Sequence, residues 1–177
     1  MQVLSTNYKP PCGLPVMSLS IKDGKLQALD WFQDKTANIF AKFNQHASFV
    51  PAEKLGNTAN ERLAKRVMGQ LDEYFAGTRQ VFELPLELSV GTPFEQQVWQ
   101  ALLQIPYGQT ISYAQLAGRI GKPTAYRACA NANGKNPISL IIPCHRVIAS
   151  DGTLGGYTGG VAIKKTLLKI EGVSPKP

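Results

Sequence analysis

Alternation of apolar and polar residues near the start of the chain predicts short β-strands. Residues 17–21 read Met-Ser-Leu-Ser-Ile, which places an apolar side chain at every second position. The Lys-Asp-Gly-Lys sequence at residues 22–25 is typical of a hairpin turn, and residues 26–32 predict the returning strand. Residues 1–50 are therefore expected to contain an antiparallel hairpin.

The hydrophobic period becomes that of a helix after residue 58. Thr58 and Glu61 have the spacing of a capping box, in which each side chain accepts a hydrogen bond from the other residue's backbone N–H. Gly77 is a typical helix stop. Because no spacing in residues 1–85 suggests chemistry, this N-terminal unit is expected to be structural. Its helix has apolar residues at every fourth position, namely Leu63, Val67, Leu71 and Phe75.

The second half of the chain follows a connector at residues 80–90 and predicts a series of short helices. Thr92 opens one helix with a second capping box, and Ser112 opens the next with a third. A Gly-Lys-Pro turn at residues 121–123 precedes a further helix from Thr124 to about Ala132. The residues assigned to the buried faces of the first two helices are Phe94, Val98, Leu102, Leu116 and Ile120.

Two short helices joined by a glycine-containing turn are the arrangement of a helix-turn-helix, with residues 124–132 in the position of the recognition helix. Residues 86–177 contain nine basic and four acidic residues, a net charge of +5 out of +7 for the whole chain, which favours a polyanionic partner. The side chains on the face of this helix expected to be exposed are small, so the backbone of the helix could closely approach either DNA or another helix. Its small residues are Ala125, Ala128, Ala130 and Ala132.

Composition excludes several classes of protein. A hydrophobic content of 44% is too high for a disordered chain, and the apolar runs are too short to span a bilayer. The chain lacks the order of a signal peptide, and three cysteines without close spacing suit a reducing compartment, so a cytoplasmic protein is expected. With two histidines, His46 and His145, a zinc cluster is not expected.

A cysteine follows the most apolar segment of the chain. Residues 138–142 (Ile-Ser-Leu-Ile-Ile) predict a strand buried on both faces, which runs into Pro143 and then Cys144, His145 and Arg146. Polar side chains at the end of a core strand need partners or a purpose. Because consecutive side chains of an extended chain point to opposite faces, contact between Cys144 and His145 requires a turn at Cys144 or a bridging water.

Glu171 is placed where a carboxylate is electrostatically unfavourable. It lies in the last turn of the C-terminal helix, where the helix dipole disfavours negative charge. One hypothesis is that Glu171 orients His145, and the other is that it is an ordinary solvated helix end. Cys12 and Cys129 have no base beside them in the sequence and are expected to be inert.

With these residues in view, the chain resembles the O6-alkylguanine-DNA alkyltransferases (methylated-DNA–protein-cysteine methyltransferases) over about residues 92–172. The resemblance rests on the Pro-Cys-His-Arg-Val sequence at residues 143–147, the active-site signature of that family. Five further blocks support it in order: Ile111–Tyr113, Arg127-Ala128, Asn136-Pro137, the Gly-Gly-Tyr-Thr-Gly-Gly sequence at residues 155–160, and Glu171-Gly172.

The resemblance implies an α+β fold in two domains. Residues 1–85 would form a small N-terminal α/β domain of the ribonuclease H-like type, and residues 86–177 a mostly helical, winged helix-turn-helix domain with the active site. It also implies a monomer that binds the minor groove of double-stranded DNA containing O6-alkylguanine. The protein would rotate the damaged nucleotide out of the stack and move its alkyl group irreversibly to a cysteine, once per chain and without a cofactor.

The same resemblance implies roles for individual residues. Cys144 would be the nucleophile and alkyl acceptor, and His145 would deprotonate it through a bridging water. Glu171 would orient His145, Asn136 would brace the turn, and Tyr113 would assist the departing guanine. Lining of the base pocket is implied for Val147, Tyr157, Thr158 and Gly159. On DNA, Arg127 would take the place of the rotated nucleotide, and the other contacts implied are Ala114, Lys122, Thr124, Ala125, Tyr126, Ala128 and Ser150.

Two departures from the family pattern concern the groove contact and the metal. Residues 129–131 read Cys-Ala-Asn where relatives have Val-Gly and a small residue, and the extra methyl of Ala130 would push the groove contact outward. Some relatives hold zinc in the N-terminal domain, where this chain offers Cys12 and His46, so no metal is expected.

Two other functions fit parts of the sequence. A helix-turn-helix regulator or damage sensor without transfer activity would use the same basic helices. A cysteine hydrolase would use Cys144, His145 and Glu171 for acyl transfer. Acceptance of O4-alkylthymine stays open.

Overall fold

The computed structural model describes residues 2–31 and 46–177, and the chain divides into two compact units. The units are Met1–Glu87 and Leu88–Pro177. The boundary between them lies two residues after the predicted boundary at residue 85. The first is built around a four-stranded sheet and the second mainly from helices, so the predicted α+β class is confirmed. Within the described ranges, no helix has both the length and the apolar character needed to cross a membrane.

The sheet of the first unit contains the predicted hairpin. Strands β2 (Met17–Lys22) and β3 (Lys25–Trp31) pair antiparallel across a turn at Asp23 and Gly24. Both turn residues have positive φ, 50° and 73°, the conformation of a tight turn that matches strand twist. Phe32, the last residue assigned to the returning strand, lies outside the described residues.

The remaining elements of the first unit complete one layer of sheet and one of helix. Strand β1 (Val3–Tyr8) pairs antiparallel with β2 and parallel with β4 (Ala47–Phe49), giving the order β3-β2-β1-β4. A short 3₁₀ turn at Ala52–Lys54 leads to helix α1 (Ala59–Phe75). The predicted capping box is present, and the helix contacts β1, β2 and β3 through its buried face.

Four helices form most of the second unit: α2 (Pro93–Leu103), α3 (Tyr113–Arg119), α4 (Tyr126–Gly134) and α5 (Val161–Ile170). The capping boxes at Thr92 and Ser112 are both present, as predicted. The buried stripe of α2 differs from the prediction, because Phe94 is half-buried and Trp99 is buried in its place. The Trp99 Nε1–H donates to the carbonyl oxygen of Ala132 at 2.9 Å, and this bond ties α2 to α4.

Helix α4 begins two residues later than predicted. The backbone N–H of Ala125 donates to the carbonyl oxygen of Lys122, so Thr124 belongs to the turn. The helix then continues to Gly134, two residues past the predicted end. Helices α3 and α4 pack against each other on either side of this turn, which is the predicted helix-turn-helix arrangement.

The prediction of a strand at residues 138–142 is wrong. The segment is buried, but it folds back on itself, and the Ile142 N–H donates to the Ile138 carbonyl oxygen at 3.0 Å. Asn136 holds both ends of this turn, because its Nδ2 donates to the Ile142 carbonyl and its Oδ1 accepts from the Ile138 N–H. Leu140 has a φ of 71°, which is strained for a residue with a side chain. Side-chain hydrogen bonds from Asn136 thus replace a strand's ladder partners.

Candidate active site

Cys144 begins a single turn of 3₁₀ helix, Cys144–Arg146, directly after Pro143. The Cys144 N–H donates to the Ile142 carbonyl oxygen at 2.8 Å, and the Arg146 N–H donates to that of Pro143 at 3.0 Å. The chain therefore turns at Cys144, as contact between Cys144 and His145 requires. The turn ends in strand β6 (Val147–Ile148), which pairs parallel with β5 (Ile111–Ser112).

A cavity of about 450 Å³ lies beside Cys144, which is itself 5% exposed. This volume is in the range of about 300–1,000 Å³ that small-molecule sites occupy. The helix-turn-helix, the 3₁₀ turn and the loop before α5 each contribute to its wall. Its lining residues are Tyr113, Ala130, Asn133, Gly134, Cys144, Gly156, Tyr157 and Thr158.

The loop before α5 closes one side of this cavity, where one hydrogen bond and the conformation of one glycine hold it. The Thr158 hydroxyl donates to the carbonyl oxygen of Gly134 at 2.8 Å, which joins the loop to the end of α4. Gly155 has a φ of 66°, and a Cβ there would approach the Tyr113 ring to 3.4 Å. A glycine is therefore favoured at residue 155 by its backbone conformation.

His145 and Glu171 form the buried pair beneath the cysteine turn. His145 is fully buried, and its Nε2 lies 2.7 Å from the Glu171 Oε1. The carboxylate also accepts from Arg146, whose Nε and Nη2 lie 2.9 and 3.1 Å from its oxygens, and from the Gly108 N–H at 3.1 Å. The Glu171 side chain has no solvent exposure, so the interpretation of Glu171 as a solvated helix end is wrong.

These contacts determine which nitrogen of His145 carries a proton. Burial alone would raise the pKa of Glu171, but hydrogen bonds and charge from His145 and Arg146 lower it to about 2, and the carboxylate stays ionised. An ionised carboxylate only accepts, so the His145 Nε2 must donate. Burial lowers the pKa of His145 despite the opposing effect of Glu171, so the ring is neutral near pH 7. Its Nδ1 then has a free lone pair, and it has no hydrogen-bond partner within the described residues.

Arg146 is a residue of this site to which the sequence assigned no role. Besides the two bonds to Glu171, its Nη1 donates to the Ile105 carbonyl oxygen at 2.6 Å, and its guanidinium lies 5.9 Å from the Tyr107 ring centre. The planar guanidinium suits this bidentate pairing with a carboxylate. The sequence feature that could have identified Arg146 is its position in a signature sequence expected to be buried, because a buried charged residue needs a countercharge.

Lys164 is a second residue that the sequence reasoning missed. The side chain is fully buried, and its Nζ donates to the carbonyl oxygens of Val147 and Leu154, both at 2.6 Å, and of Gly156 at 3.1 Å. Burial lowers the pKa of Lys164 to about 8, although the nearby Cys144 opposes this. Lys164 therefore ties the strand after Cys144 to the loop that lines the cavity. The sequence signal was a lysine on the apolar face of α5, beside Ile163 and Leu167.

The predicted pocket residues are only partly brought together. Tyr113, Tyr157 and Thr158 line the cavity, and burial raises the pKa of Tyr113, so its hydroxyl stays protonated. Val147 and Gly159 are both buried, and neither belongs to the lining of the cavity. The Val147 side chain points into the core because β6 pairs with β5.

Helix α4 contributes two cavity residues that were not predicted there. Asn133 is 6% exposed, and Ala130 is half-buried against the same cavity. The methyl of Ala130 therefore narrows the cavity, whereas the sequence suggested an effect on the groove contact. Ala132 is 3% exposed, so its assignment to the exposed face is wrong, because α4 packs this position against α2.

The residues implied to contact DNA lie at or near the surface. The Arg127 guanidinium is exposed and lies 5.8 Å from the ring centre of Tyr126, which is 46% exposed. The Lys122 Nζ lies 5.1 Å from the ring centre of Phe94. Ala125 is half-buried, because it begins the helix under the preceding turn. The remaining exposed members are Ala114, Thr124, Ala128 and Ser150.

Metal-ligating side chains do not cluster in the part of the chain that the structure describes: no group of three or more His, Cys, Asp or Glu is placed to hold an ion. Cys12 and His46 are both exposed. Cys129 is buried, and burial raises the pKa of its thiol, which disfavours the reactive thiolate.

Comparison with known proteins gives concordant matches over both units. Residues 93–173 match the family described as 6-O-methylguanine DNA methyltransferase, DNA binding domain, and residues 21–88 match the ribonuclease-like domain of that family. A methylated-DNA–protein-cysteine methyltransferase of Salmonella typhimurium is 38% identical over 174 residues, which are 97% of each chain.

Solved structures show the same similarity. The crystal structure of the Mycobacterium tuberculosis O6-methylguanine methyltransferase superposes with a TM-score of 0.79 at 37% identity, covering 96% of this chain and 92% of that one. The Mycobacterium tuberculosis OGT in complex with DNA gives a TM-score of 0.75 at 36% identity, covering 97% and 92%.

Proposed function

This chain belongs to the 6-O-methylguanine DNA methyltransferase family, and on that premise we propose that Cys144 accepts the alkyl group of O6-alkylguanine in double-stranded DNA. The protein is a DNA-repair methyltransferase, and DNA is its partner. The observation that carries the proposal for Cys144 is its place in the wall of the 450 Å³ cavity, beside a neutral histidine whose Nε2–H is held by an ionised Glu171.

The proposed chemistry is a displacement at the alkyl carbon. The thiol proton of Cys144 passes through a water to the His145 Nδ1, and the sulfur attacks the carbon. The S–C bond forms as the C–O6 bond breaks, and the electron pair of that bond goes to the departing guanine. Tyr113 donates a proton to the guanine and regains one from solvent, to which the imidazolium also returns its proton. The products are unmodified guanine and a thioether, which water does not hydrolyse, so each chain acts once.

Access to the alkyl group requires the nucleotide to leave the helix. Inside a duplex the target carbon is out of reach of a cysteine in a cavity, and extrusion of a base costs a few kcal/mol, less where alkylation has weakened pairing. We assign α4 to the minor groove and Arg127 to the gap left by the nucleotide. Arg127 suits this role because its guanidinium is exposed at the start of α4 and lies against the Tyr126 ring.

The two units have separate roles in this proposal. Residues 1–85 act as a structural domain, and residues 86–177 bind DNA and carry out the transfer, as a monomer. Each residue of the proposed chemistry lies within Leu88–Pro177. A reducing compartment such as the cytoplasm fits an acceptor that must stay a thiol, and Cys144 forms no disulfide with either of the other described cysteines.

Intact-mass analysis tests the transfer directly. The protein is incubated with a duplex oligonucleotide containing O6-methylguanine, and we expect a mass gain of one methyl group on Cys144 with one guanine restored per chain. Cys144→Ser is expected to abolish the gain while duplex binding persists. DNA binding without a mass change would instead identify a regulator or sensor, and repeated turnover on an ester or amide would identify a hydrolase.

Comparison of two substrates tests the role of Arg127. Arg127→Ala is expected to slow repair of duplex DNA far more than reaction with the free base O6-benzylguanine, because only the duplex requires extrusion. Lys165→Ala, which removes another exposed charge of the same unit, is the control. Equal losses on both substrates would exclude Arg127 as the residue that fills the gap.

A further inference from the structure

Asn133 has a buried polar atom that no other described residue satisfies. It lies at the penultimate position of α4 and is 6% exposed. Its Nδ2 donates to the carbonyl oxygen of Cys144 over a long 3.5 Å, and its Oδ1 has no hydrogen-bond partner in the described part of the chain. A buried acceptor without a partner costs about 1–3 kcal/mol, so folded proteins seldom retain one without a purpose.

The position of Asn133 suggests that the missing partner is a ligand. The residue lines the same cavity as Cys144, Tyr113 and Thr158, so a molecule bound there lies next to its amide. The bond from its Nδ2 to the Cys144 carbonyl orients this amide relative to the acceptor cysteine. An amide held by one end presents its oxygen in a defined direction, which is the requirement for a specific contact.

We propose that Asn133 is a specificity-determining residue whose Oδ1 accepts a hydrogen bond from the 2-amino group of the alkylated guanine. This inference rests on the proposed function. Alkylation at O6 leaves N1 of guanine without a hydrogen, and N9 is bonded to the sugar, so the 2-amino group holds the only N–H donors of the base. An acceptor in the cavity can therefore be satisfied by this one group.

The same acceptor disfavours bases without an N–H donor. O4-alkylthymine has none, because alkylation removes the hydrogen of N3 and N1 is bonded to the sugar. Such a base would bury the Asn133 oxygen without a partner, and a site with an unpaired polar group discriminates strongly against the analogue that leaves it so. Asn133 thus favours guanine over thymine lesions.

The experiment compares two substrates that differ only in the group proposed to be recognised. Rate constants for methyl transfer are measured on duplexes with O6-methylguanine or O6-methylhypoxanthine, which lacks the 2-amino group. For Asn133→Leu, of similar size without an acceptor, we expect the preference for guanine to fall by about tenfold, the effect of one hydrogen bond. Asn133→Asp keeps an acceptor but loses the Nδ2–H that donates to the Cys144 carbonyl, so it is expected to keep more of the preference than Asn133→Leu does. Asn131→Leu, on the exposed side of α4, is the control and should leave it unchanged.

Each outcome decides the inference. If Asn133→Leu slows both substrates equally, the residue is merely structural and the inference is wrong. If Asn133→Leu does not fold, the native protein decides: equal rates on the two duplexes would show that the 2-amino group is not read. Absence of transfer from O6-methylguanine in the native protein would instead overturn the proposed function, and the inference with it.

Discussion

The two units of the chain differ in what they bury. Both place polar side chains in their interiors, but in the described part of Met1–Glu87 Asp30 is the one buried side chain with a formal charge. The second unit buries Arg146, Lys164 and Glu171, together with His145, around one cysteine. The described core of the first unit is thus almost free of formal charge, whereas the core of the second unit contains several charged side chains near Cys144.

The buried charges of the second unit are expected to lower its free energy of unfolding relative to an apolar core. Burial of a charge is unfavourable unless its partners compensate fully, so apolar residues would fill the same space at lower cost. The second unit nevertheless holds an Arg146–Glu171–His145 network. Its hydrogen bonds fix the tautomer of the His145 imidazole. Among the described residues of the first unit, no second formal charge is buried with Asp30. Five predictions test this contrast, and the chain has one tryptophan in each unit, Trp31 and Trp99, to report it.

Glu171→Gln should have the largest effect. It removes the countercharge of a buried arginine, and breaking such a pair costs about 3–5 kcal/mol of unfolding free energy. It also replaces an acceptor-only carboxylate by an amide, which can accept from the His145 Nε2 or donate to it, so the tautomer is no longer fixed and the transfer rate should fall on the order of 100-fold. Denaturant titrations of Trp31→Phe and Trp99→Phe backgrounds, together with single-turnover kinetics, measure both effects.

The matched change in the first unit is Asp30→Asn. Asp30 accepts a hydrogen bond from the Trp31 N–H at 2.8 Å, and asparagine offers only a neutral acceptor in place of the charged one, so the substitution should destabilise the protein. Transfer by the folded protein should be unchanged, because Asp30 lies outside the site's unit. A loss of transfer like that of Glu171→Gln would remove the contrast between the units.

Acid should inactivate the protein through His145. Because burial lowers the pKa of His145, the transfer rate should be flat down to its ordinary value of 6.5 and fall only at lower pH, by about tenfold per pH unit below the true pKa. Stability should also fall with pH. As the pH falls, the His145 imidazole is protonated in the unfolded chain at a higher pH than in the folded protein, so the free energy of unfolding decreases. A rate–pH profile with its midpoint above 6.5 would contradict a buried neutral base.

Lys164→Met should have a smaller but specific effect. Methionine fills the same volume and leaves three carbonyl oxygens without their charged donor, so unfolding free energy should fall by about 1–3 kcal/mol. Transfer should slow because the cavity loop loses its tie to the strand after Cys144. Lys165→Met, the exposed neighbour, is the control and should change neither quantity.

Loss of a capping box should have the smallest effect and the same size in both units. Thr58 caps α1 and Thr92 caps α2 through the same pair of reciprocal bonds with a glutamate. Replacement of either by alanine should cost about 1 kcal/mol of unfolding free energy and leave transfer by the folded protein unchanged. A selective loss of activity in Thr92→Ala would show that α2 positions the site more directly than its contacts suggest.

Local patterns predicted the elements of this protein well. The capping boxes at Thr58, Thr92 and Ser112 are all present, and the hairpin around Asp23 and Gly24 has the predicted turn. These features depend on residues two to four positions apart, and the sequence records such spacings directly. The strand predicted at residues 138–142 was wrong for a different reason: the conformation of this segment depends on hydrogen bonds of the Asn136 side chain, which a pattern of hydrophobicity does not reveal.

The sequence by itself determined the α+β class, the helix-turn-helix and the identity of the family, because short-range periodicity and a signature around Cys144 are sufficient for these. The tertiary structure decided which side chains meet. His145 and Glu171 are 26 residues apart, and Lys164 reaches the Val147 carbonyl from 17 residues away. It also turned Val147 into the core and Asn133 toward the cavity. Such pairings depend on how helices and loops pack. The identity of a charged residue in the sequence does not show whether its side chain is solvated or buried.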